Sequence, residues 1–360
     1  MMDLSIMFFA SQTQVETEQP YRLVLEAAKF ADTHNFCAVW TPERHFADFG
    51  GIFPNPSVLS AALAVLTTNL QIRAGSVVAP LHDSIRIAEE WALVDNLSHG
   101  RVAISFGSGW NINDFVLFPE RYDQRRQFMH RQIEEIQALW RGEGLTRKNS
   151  KGIPFEVRLY PRPVQQQLPV WISASSSITT FEYAGSIGAN VLTHFISQDT
   201  TLLAEKIRAY RASRHRHGFE PQAGIITLML HTFLGQEDSV VKALVRPHLR
   251  EYLRSAVLLE NNSASGGGTI SGGFQVAPQD LEPDLLEEML DITFERYYNG
   301  YSLLGTVKSC LPRVRHLESI GVNEIACLID FGVEVEQVLE ALDPLNDLRQ
   351  IVQGKEGRND

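Results

Sequence analysis

The stretch A-V-W-T-P-E-R-H-F, residues 38–46, joins a short apolar run to three consecutive charged or titratable side chains. The run at residues 36–40 predicts a buried strand, and Glu43, Arg44 and His45 follow it directly. A buried strand has no structural need for an acid, a guanidinium and an imidazole where it ends. In parallel α/β folds, ligands bind at the carboxyl ends of the strands. The stretch therefore predicts an enzyme of this fold class, with these three residues in its active site.

Strand-like and helix-like runs alternate along almost the whole chain of 360 residues. Eight strands, each followed by a helix, indicate an α/β fold of the closed (β/α)8 or TIM-barrel kind, with residues 1–360 as a single domain. The predicted strands are residues 4–9, 36–40, 70–78, 102–106, 170–173, 190–193, 223–234 and 324–329. The predicted helices are residues 21–34, 56–66, 84–97, 123–140, 179–187, 202–217, 238–258, 307–320 and 333–352.

Two insertions interrupt this alternation, one after the fourth strand and one after the seventh. Residues 142–163 carry Pro and Gly among alternating apolar residues, which predicts a small β excursion. Residues 261–273 are rich in Gly and Ser and precede a predicted helix at 283–298. We expect residues 259–300 to form a mobile insertion that acts as a lid, with a plain disordered loop as the alternative.

Composition excludes several classes of protein. The net charge is −11 and the basic residues are scattered, which argues against nucleic-acid binding. Neither a secretory signal nor an apolar run of membrane-spanning length is recognisable, so we expect a cytoplasmic protein without a membrane partner. Cys37, Cys310 and Cys327 show no paired spacing and predict reduced thiols.

Hydroxyl side chains crowd the end of the fifth predicted strand. Ser175, Ser176, Ser177 and Thr179 stand where this strand turns into a helix. Helix N-termini present unpaired N–H groups and a partial positive charge, and hydroxyls add donors, so such a turn can hold a phosphate without a lysine. A serine-rich N-cap without any ligand is the alternative.

The fourth strand runs into F-G-S-G-W, residues 106–110, where two glycines remove side chains from the expected wall of the site. Glycine allows the backbone to approach a flat or anionic ligand closely. The motif is weak by itself. Beside the hydroxyl-rich turn, it favours a phosphorylated planar ligand.

Other chemistries fit the sequence poorly. The lysines, Lys206 among them, all occupy helix or loop positions, whereas a Schiff-base enzyme needs a desolvated lysine on a strand. The histidines at strand ends come one per strand with few acids nearby, so we predict no metal site. The glycine patterns of Rossmann and P-loop proteins are absent from the sequence, which argues against a pyridine nucleotide or ATP.

Several segments together resemble the bacterial luciferase-like, flavin-dependent monooxygenases. The resemblance runs from residue 4 to about residue 345 and is closest to the branch that serves polyketide and non-ribosomal peptide assembly lines. The segments are V-W-T-P-E-R-H-F (39–46), F-G-G-I-F-P-N-P (49–56), A-G-S-V-V-A-P (74–80), D-N-L-S-H-G-R (95–101), F-G-S-G-W (106–110) and L-L-G-T-V (303–307).

This resemblance implies a homodimer that binds FMN in its reduced form, FMNH2, supplied by a separate flavin reductase. It implies that O2 is the second substrate and that a natural-product intermediate is hydroxylated or receives oxygen beside a carbonyl, as in a Baeyer–Villiger reaction. If that intermediate is tethered, an acyl or peptidyl carrier protein becomes a further partner. Arg211, Arg214 and Arg216 could then form its dock, although a solvated helix face is the alternative interpretation.

The resemblance also implies roles for individual residues. The Gly75–Ser76 peptide, often cis in similar enzymes, would support the isoalloxazine ring, and Ser108, Gly109 and Trp110 would flank it. Ser175, Ser176, Ser177 and Thr179 would bind the phosphate. The expected catalytic residues are Glu43, Arg44, His45 and His231, and the expected substrate pocket is Phe8, Phe9, His194 and Phe195.

Two departures from luciferase itself matter. Luciferase has a pair of histidines after the glutamate, whereas here Arg44 takes the place of the first. Ser108 stands where luciferase uses an arginine for the phosphate, so the phosphate should depend more on the turn at 175–179. Two other functions stay open: a hydride-transferring oxidoreductase that uses the deazaflavin F420, and a non-catalytic flavin-binding barrel.

Overall fold

The computed structural model describes residues 1–15, 18–175, 177–195, 198–263 and 283–354. Eight parallel strands form the barrel in the order β11-β1-β2-β3-β4-β7-β8-β9, and β9 also pairs with β11, which closes the sheet. The strands are β1 (Asp3–Met7), β2 (Ala38–Thr41), β3 (Gln71–Val78), β4 (Val102–Gly107), β5 (Leu145–Lys148), β6 (Pro154–Val157), β7 (Val170–Ser173), β8 (Asn190–His194), β9 (Ile226–Leu234), β10 (Leu303–Gly305) and β11 (Glu324–Leu328).

Helices surround the barrel and follow its strands. Their apolar faces pack on the outward side chains of the sheet, which is why they show the 3.6-residue period in the sequence. They are α1 (Arg22–Thr33), α2 (Pro56–Leu66), α3 (Ser84–Leu97), α4 (Arg125–Arg141), α5 (Ile178–Ser186), α6 (Thr200–Arg216), α7 (Asp238–Ser263), α8 (Pro283–Arg296), α9 (Val307–Ser319), α10 (Val335–Glu340) and α11 (Leu342–Val352).

The predicted barrel and all eight of its strands are confirmed, and the excursion after the fourth strand is the β5–β6 hairpin. The prediction of one closing helix at 333–352 was wrong, because α10 ends at Glu340 and α11 begins at Leu342. Pro344 explains the break, since it has no N–H to continue the helical pattern and fits only the first turn of a new helix. β10 escaped prediction because three residues are too short for a recognisable pattern.

The expected lid falls mostly outside the described residues. Residues 259–263 belong to the end of α7, and α8 with the π-helical turn Tyr297–Tyr301 accounts for the predicted helix at 283–298. Residues 264–282 lie outside the described part, so a lid at 259–300 stays a prediction.

A buried ion pair fills the barrel interior toward the amino ends of the strands. Arg73 of β3 lies between the rings of Trp40 and Trp171, at 5.0 and 4.4 Å, and its Nη1 is 2.6 Å from Oε2 of Glu324. Trp40 Nε1 donates to Ser5 at 2.9 Å. Because this layer closes the barrel from below, a ligand can enter only at the carboxyl ends of the strands.

Two further expectations concern the whole chain. In the described ranges we find no helix long and apolar enough to cross a membrane. Cys37, Cys310 and Cys327 are all free thiols, as their spacing predicted.

Candidate functional site

The charged triplet after β2 forms a buried hydrogen-bonded cluster with the end of β3. Glu43 Oε1 accepts from Nε2 of His45 at 2.8 Å and from Nε2 of His82 at 2.6 Å. Its other oxygen accepts from the backbone N–H of Val78 at 2.7 Å. The structure thus brings the predicted Glu43 and His45 together and adds His82, to which the sequence assigned no role.

The electrostatics of this cluster follow from its partners. Burial alone would raise the pKa of Glu43, but hydrogen bonds from His45 and His82 outweigh it and lower that pKa. Burial acts against the charged form of His82, yet the neighbouring Glu43 raises the pKa of His82 overall. Because an ionised carboxylate only accepts, both Nε2 atoms carry hydrogen, which leaves Nδ1 of His45 as its proton-accepting atom.

The same three side chains offer ligand atoms within 4.8 Å of one another, a spacing that a metal ion could also bridge. The sequence-based expectation that this protein has no metal site therefore stays a prediction. In the structure, the three side chains satisfy one another by hydrogen bonds.

Arg44 joins the ends of three strands. Its guanidinium carbon lies 5.5 Å from the ring centre of Phe9 and 4.9 Å from that of Trp110, which follow β1 and β4. Its Nη1 is 3.4 Å from Asp114 Oδ2, in the 3-10 helix Ile112–Leu117. Asp114 gave no signal in the sequence, because nothing local marks it as the partner of Arg44. The predicted residues Phe9, Arg44 and Trp110 form one wall of the site.

A closely packed backbone segment at the end of β3 lies at the barrel mouth beside this wall. The Gly75–Ser76 peptide is cis, as the resemblance implied. A Cβ on Gly75 would come within 3.1 Å of Trp40 Cε3 and 3.3 Å of Met7 Cε, so the peptide packs tightly against these two side chains. Ser76 Oγ lies 2.6 Å from Ser173 Oγ, which is 2.8 Å from Ser105 Oγ, and these hydroxyls line the floor.

The segment Ser108–Gly109–Trp110 directly follows β4 and lies at the same barrel mouth. Gly109 has a φ of 76°, and a Cβ there would lie 2.9 Å from both Phe115 and Val78. Arg125 Nε donates to the carbonyl of Gly109 at 3.0 Å, which places a guanidinium beside this segment. Ser108 is half-buried.

The hydroxyl-rich turn after β7 lies at the N-terminus of α5. Ser177 occupies the N-cap position but makes no capping bond, and its hydroxyl instead pairs with that of Thr179 at 2.7 Å. The neighbouring helix α6, in contrast, is capped by Asp199. Ser175 and Thr179 are exposed. The first-turn N–H groups of α5 and these hydroxyls thus form a donor set that fits a phosphate. Ser176 lies outside the described residues.

One residue that sequence analysis passed over lies beneath this turn. Lys206 of α6 is 1% exposed, and its Nζ donates to the carbonyl of Ser175 at 3.1 Å and to Gln198 Oε1 at 2.8 Å. Its place in a helix was predicted, but its burial was not. The available signal is its position on the apolar face of α6, between Leu203 and Tyr210.

Two buried histidines lie at the ends of β8 and β9. Burial, followed by the nearby His194, lowers the pKa of His231 to about 3. Burial, followed by the nearby Lys206, lowers the pKa of His194 to about 4. Both imidazoles are therefore neutral near pH 7. His231 Nε2 has no hydrogen-bond partner among the described residues and packs against Tyr252, with ring centres 4.9 Å apart.

The residues expected in the substrate pocket lie in different surroundings. Phe195 contacts the ring of Tyr301 at 4.9 Å, while Phe8 is fully buried in the hydrophobic core. Asp330, after β11, accepts from the N–H groups of Phe9 and Ala10 at 2.7 to 2.8 Å. Burial raises the pKa of Asp330 to about 8, although these hydrogen bonds oppose the shift.

Arg211 and Arg214 do not support the predicted arginine dock, whereas Arg216 is exposed, as its alternative of a solvated helix face predicted, and lies 3.5 Å from Glu182. Arg214 is 5% exposed and donates to the carbonyls of Gly188 and Glu220. Arg211 donates to the carbonyls of Pro221 and Gly224. These guanidiniums bond loop backbone at the barrel base, because the loops there leave carbonyls without helical partners.

Known proteins match this chain over almost its full length. The family profile described as luciferase-like monooxygenase matches residues 2–324. The oxygenase component of a flavin-dependent trigonelline monooxygenase from Acinetobacter baylyi is 26% identical over 344 residues, which cover 92% of this chain and 89% of that protein.

Solved structures show the same fold. Monooxygenase RslO1 from Streptomyces bottropensis superposes with a TM-score of 0.78 at 18% identity, over 99% of this chain and 100% of that one. The oxygenating constituent of 3,6-diketocamphane monooxygenase from Pseudomonas putida, a type II Baeyer–Villiger monooxygenase in complex with FMN, superposes with a TM-score of 0.69 at 13% identity, over 98% and 96%. The chain belongs to the family of luciferase-like, flavin-dependent monooxygenases.

Proposed function

We propose that this protein is the oxygenase component of a two-component system, that it takes FMNH2 from a separate flavin reductase, and that it uses O2 to oxygenate a natural-product intermediate. The trigonelline enzyme supports the division into components, because it too is named as an oxygenase component. The product is either a hydroxylated compound or one that has gained oxygen beside a carbonyl.

One observation carries the cofactor assignment. The closely packed backbone at Gly75 and Gly109 lies at the same barrel mouth as the N-terminus of α5, where Ser177 makes no capping bond. A planar ring needs close backbone approach, and a phosphate needs N–H and hydroxyl donors. FMN satisfies both with one molecule, and the plain serine-cap alternative explains neither feature.

The chain's own residues supply proton control. His45 Nδ1 gives or takes the proton at the reacting oxygen, while Glu43 fixes the ring through Nε2. Arg44 holds Phe9 and Trp110 in place and adds positive charge for a developing oxyanion. Bound reduced FMN would supply the two electrons that activate O2. The neutral His231 and its aromatic neighbours keep the pocket dry, which protects the reaction from water.

The side chains that surround the site favour one class of substrate. Phe9, Trp110 and Phe195 are apolar. At the predicted carrier-protein dock, Arg211 and Arg214 bond loop carbonyls instead. We therefore propose an acyl or aminoacyl compound as substrate. Tethering to an acyl or peptidyl carrier protein, if it occurs, would use another surface.

We further propose that the protein is a cytoplasmic homodimer. Its three free cysteines suit a reducing compartment. Four exposed apolar side chains on α2 and α3 form the proposed dimer face: Val58, Val65, Leu93 and Leu97. Light scattering should show a dimer that Val65→Glu converts to a monomer, whereas Val240→Glu, an equally exposed change on α7, should leave the dimer intact. A monomeric parent protein would refute this proposal.

The proposed function is tested in two steps. Anaerobic titration should show that the protein binds FMNH2, and lack of affinity for flavin in either redox state would refute the assignment. Mass spectrometry of free and carrier-bound candidates, incubated with FMN, a reductase and O2, should then find a product heavier by one oxygen. Turnover with F420 under strict exclusion of O2 would instead establish the hydride-transfer alternative. Intact flavin binding with no turnover of any candidate is the result expected of a non-catalytic barrel.

A further inference from the structure

Lys206 is a buried cation with no carboxylate partner among the described residues. It is 1% exposed, and it donates to two neutral acceptors: the carbonyl of Ser175 and the amide oxygen of Gln198. Within the described ranges, no carboxylate forms an ion pair with it. Burying an ammonium without a counter-charge costs several kcal/mol, roughly, even when it is hydrogen-bonded. A position that keeps such a group needs another source of negative charge.

The location of Lys206 indicates that source. Ser175 precedes α5 by three residues, and the ring of Phe181, on the next turn of α5, lies 5.9 Å from Nζ. The ammonium therefore lies under the N-terminus of α5, where Ser177 and Thr179 hold their hydroxyls together without capping the helix. Three sources of positive potential converge here: the helix N-terminus, the hydroxyl donors and the lysine.

We propose that Lys206 is the phosphate-positioning residue of the flavin site, which holds the Ser175 carbonyl from below and supplies a full positive charge next to the hydroxyl-rich turn. This inference rests on the proposed function, because it requires a phosphorylated flavin at the barrel mouth. The dianionic phosphate and the buried ammonium would then neutralise each other across the turn.

A purely structural lysine would give a different pattern. If Lys206 only tied α6 to the turn, its loss would weaken the fold with every ligand alike. If it serves the phosphate, its loss should weaken FMN and spare riboflavin, which has the same ring and no phosphate. The free protein should meanwhile tolerate an apolar residue of similar length, since an uncompensated buried charge disappears.

The experiment compares FMN with riboflavin on the full-length protein, by fluorescence titration and by the ligand-induced rise in Tm. We expect the parent to bind FMN at least about 10-fold more tightly than riboflavin, since a hydrogen-bonded charge pair is worth about one such factor or more. Lys206→Met should reduce that preference about 10-fold or more while leaving riboflavin affinity and the Tm of the free protein unchanged or higher. Lys206→Arg, which keeps the charge, should restore part of the preference. Lys29→Met, at an exposed site on α1, should behave as the parent.

The outcomes separate the two proposals. If the parent protein prefers FMN and Lys206→Met keeps that preference, the role of Lys206 is refuted while the proposed function stands. If Lys206→Met loses FMN and riboflavin equally, or does not fold while Lys206→Arg folds without any preference for FMN, the role is refuted as well. If the parent binds neither flavin, the proposed function itself fails and this inference fails with it.

Discussion

The Glu43 carboxylate and the His82 imidazole are joined by a hydrogen bond of 2.6 Å between Oε1 and Nε2. The same Oε1 atom also accepts from His45, so a single oxygen connects two histidines from different strand ends. His82 lies beside a polar cavity of about 300 Å³ that Arg121 and Gln132 also line. Glu43 thus links the half-buried His45 to this polar cavity.

The first prediction concerns pH and stability at this pair. The folded-state pKa of His82 is raised above 6.5, so its stabilisation is complete below pH 6.5 and is lost as the pH rises through the raised value. The folded-state pKa of Glu43 is lowered below 4.5, so its contribution is present above pH 4.5 and is lost as the pH falls through the lowered value. The free energy of unfolding lost in His82→Gln should therefore be largest near pH 5 to 6 and shrink toward pH 9, as measured by urea denaturation. A loss that does not change between these values would contradict the assigned shift.

The second prediction separates chemistry from binding at His45. His45→Gln keeps an N–H that can donate to Glu43 but removes Nδ1, the proposed site of proton transfer, so turnover should fall by roughly 10²- to 10⁴-fold. The affinity for FMNH2 should stay within about twofold, because the imidazole is not part of the phosphate or ring supports. Single-turnover kinetics and anaerobic titration measure the two quantities. His215→Gln, an exposed position on α6, is the matched control. Unchanged turnover in His45→Gln would exclude proton transfer by this residue.

The third prediction uses two glycines with almost the same backbone angle. Gly109 and Gly152 have φ of 76° and 75°, but an added Cβ meets Phe115 and Val78 at 2.9 Å in the first and nothing within 4 Å in the second. Gly152→Ala should cost about 1–2 kcal/mol of unfolding free energy for the left-handed conformation alone. Gly109→Ala should cost about 1–3 kcal/mol more through overpacking and should also weaken flavin binding. Equal losses in denaturant titrations would show that the segment around Gly109 adjusts freely.

The fourth prediction concerns the buried His231. Its folded-state pKa is about 3 and its ordinary value is 6.5, so the unfolded chain binds the extra proton between these values and stability is lost as the pH falls below 6.5. At pH 5 this single group would cost about 2 kcal/mol. His231→Phe should therefore lose less stability than the parent between pH 7 and pH 5, with the difference read from Tm at each pH. Parallel Tm curves for the two proteins would contradict a neutral, buried imidazole.

Much of the barrel was accessible from the sequence because local patterns encode it. The predicted bounds of α2 and α3 agree with the structure to the residue, and Asn55 and Asp83 cap the N-termini of these two helices. Glu43 and His45 were found because charged groups directly after a buried strand have no structural use. Phe8 was placed in the substrate pocket by adjacency alone, whereas it lies in the core.

The chain by itself determined the fold class, the barrel strands and the end of the barrel where chemistry occurs, because hydrophobic period and strand-end composition are local properties. Only the tertiary structure decided which distant groups meet: His82 with Glu43, Asp114 with Arg44, and Lys206 with Ser175. The physical reason is that burial and pairing depend on side chains far apart in sequence, and a lysine on a helix looks the same in the sequence whether water or a buried carbonyl surrounds its ammonium.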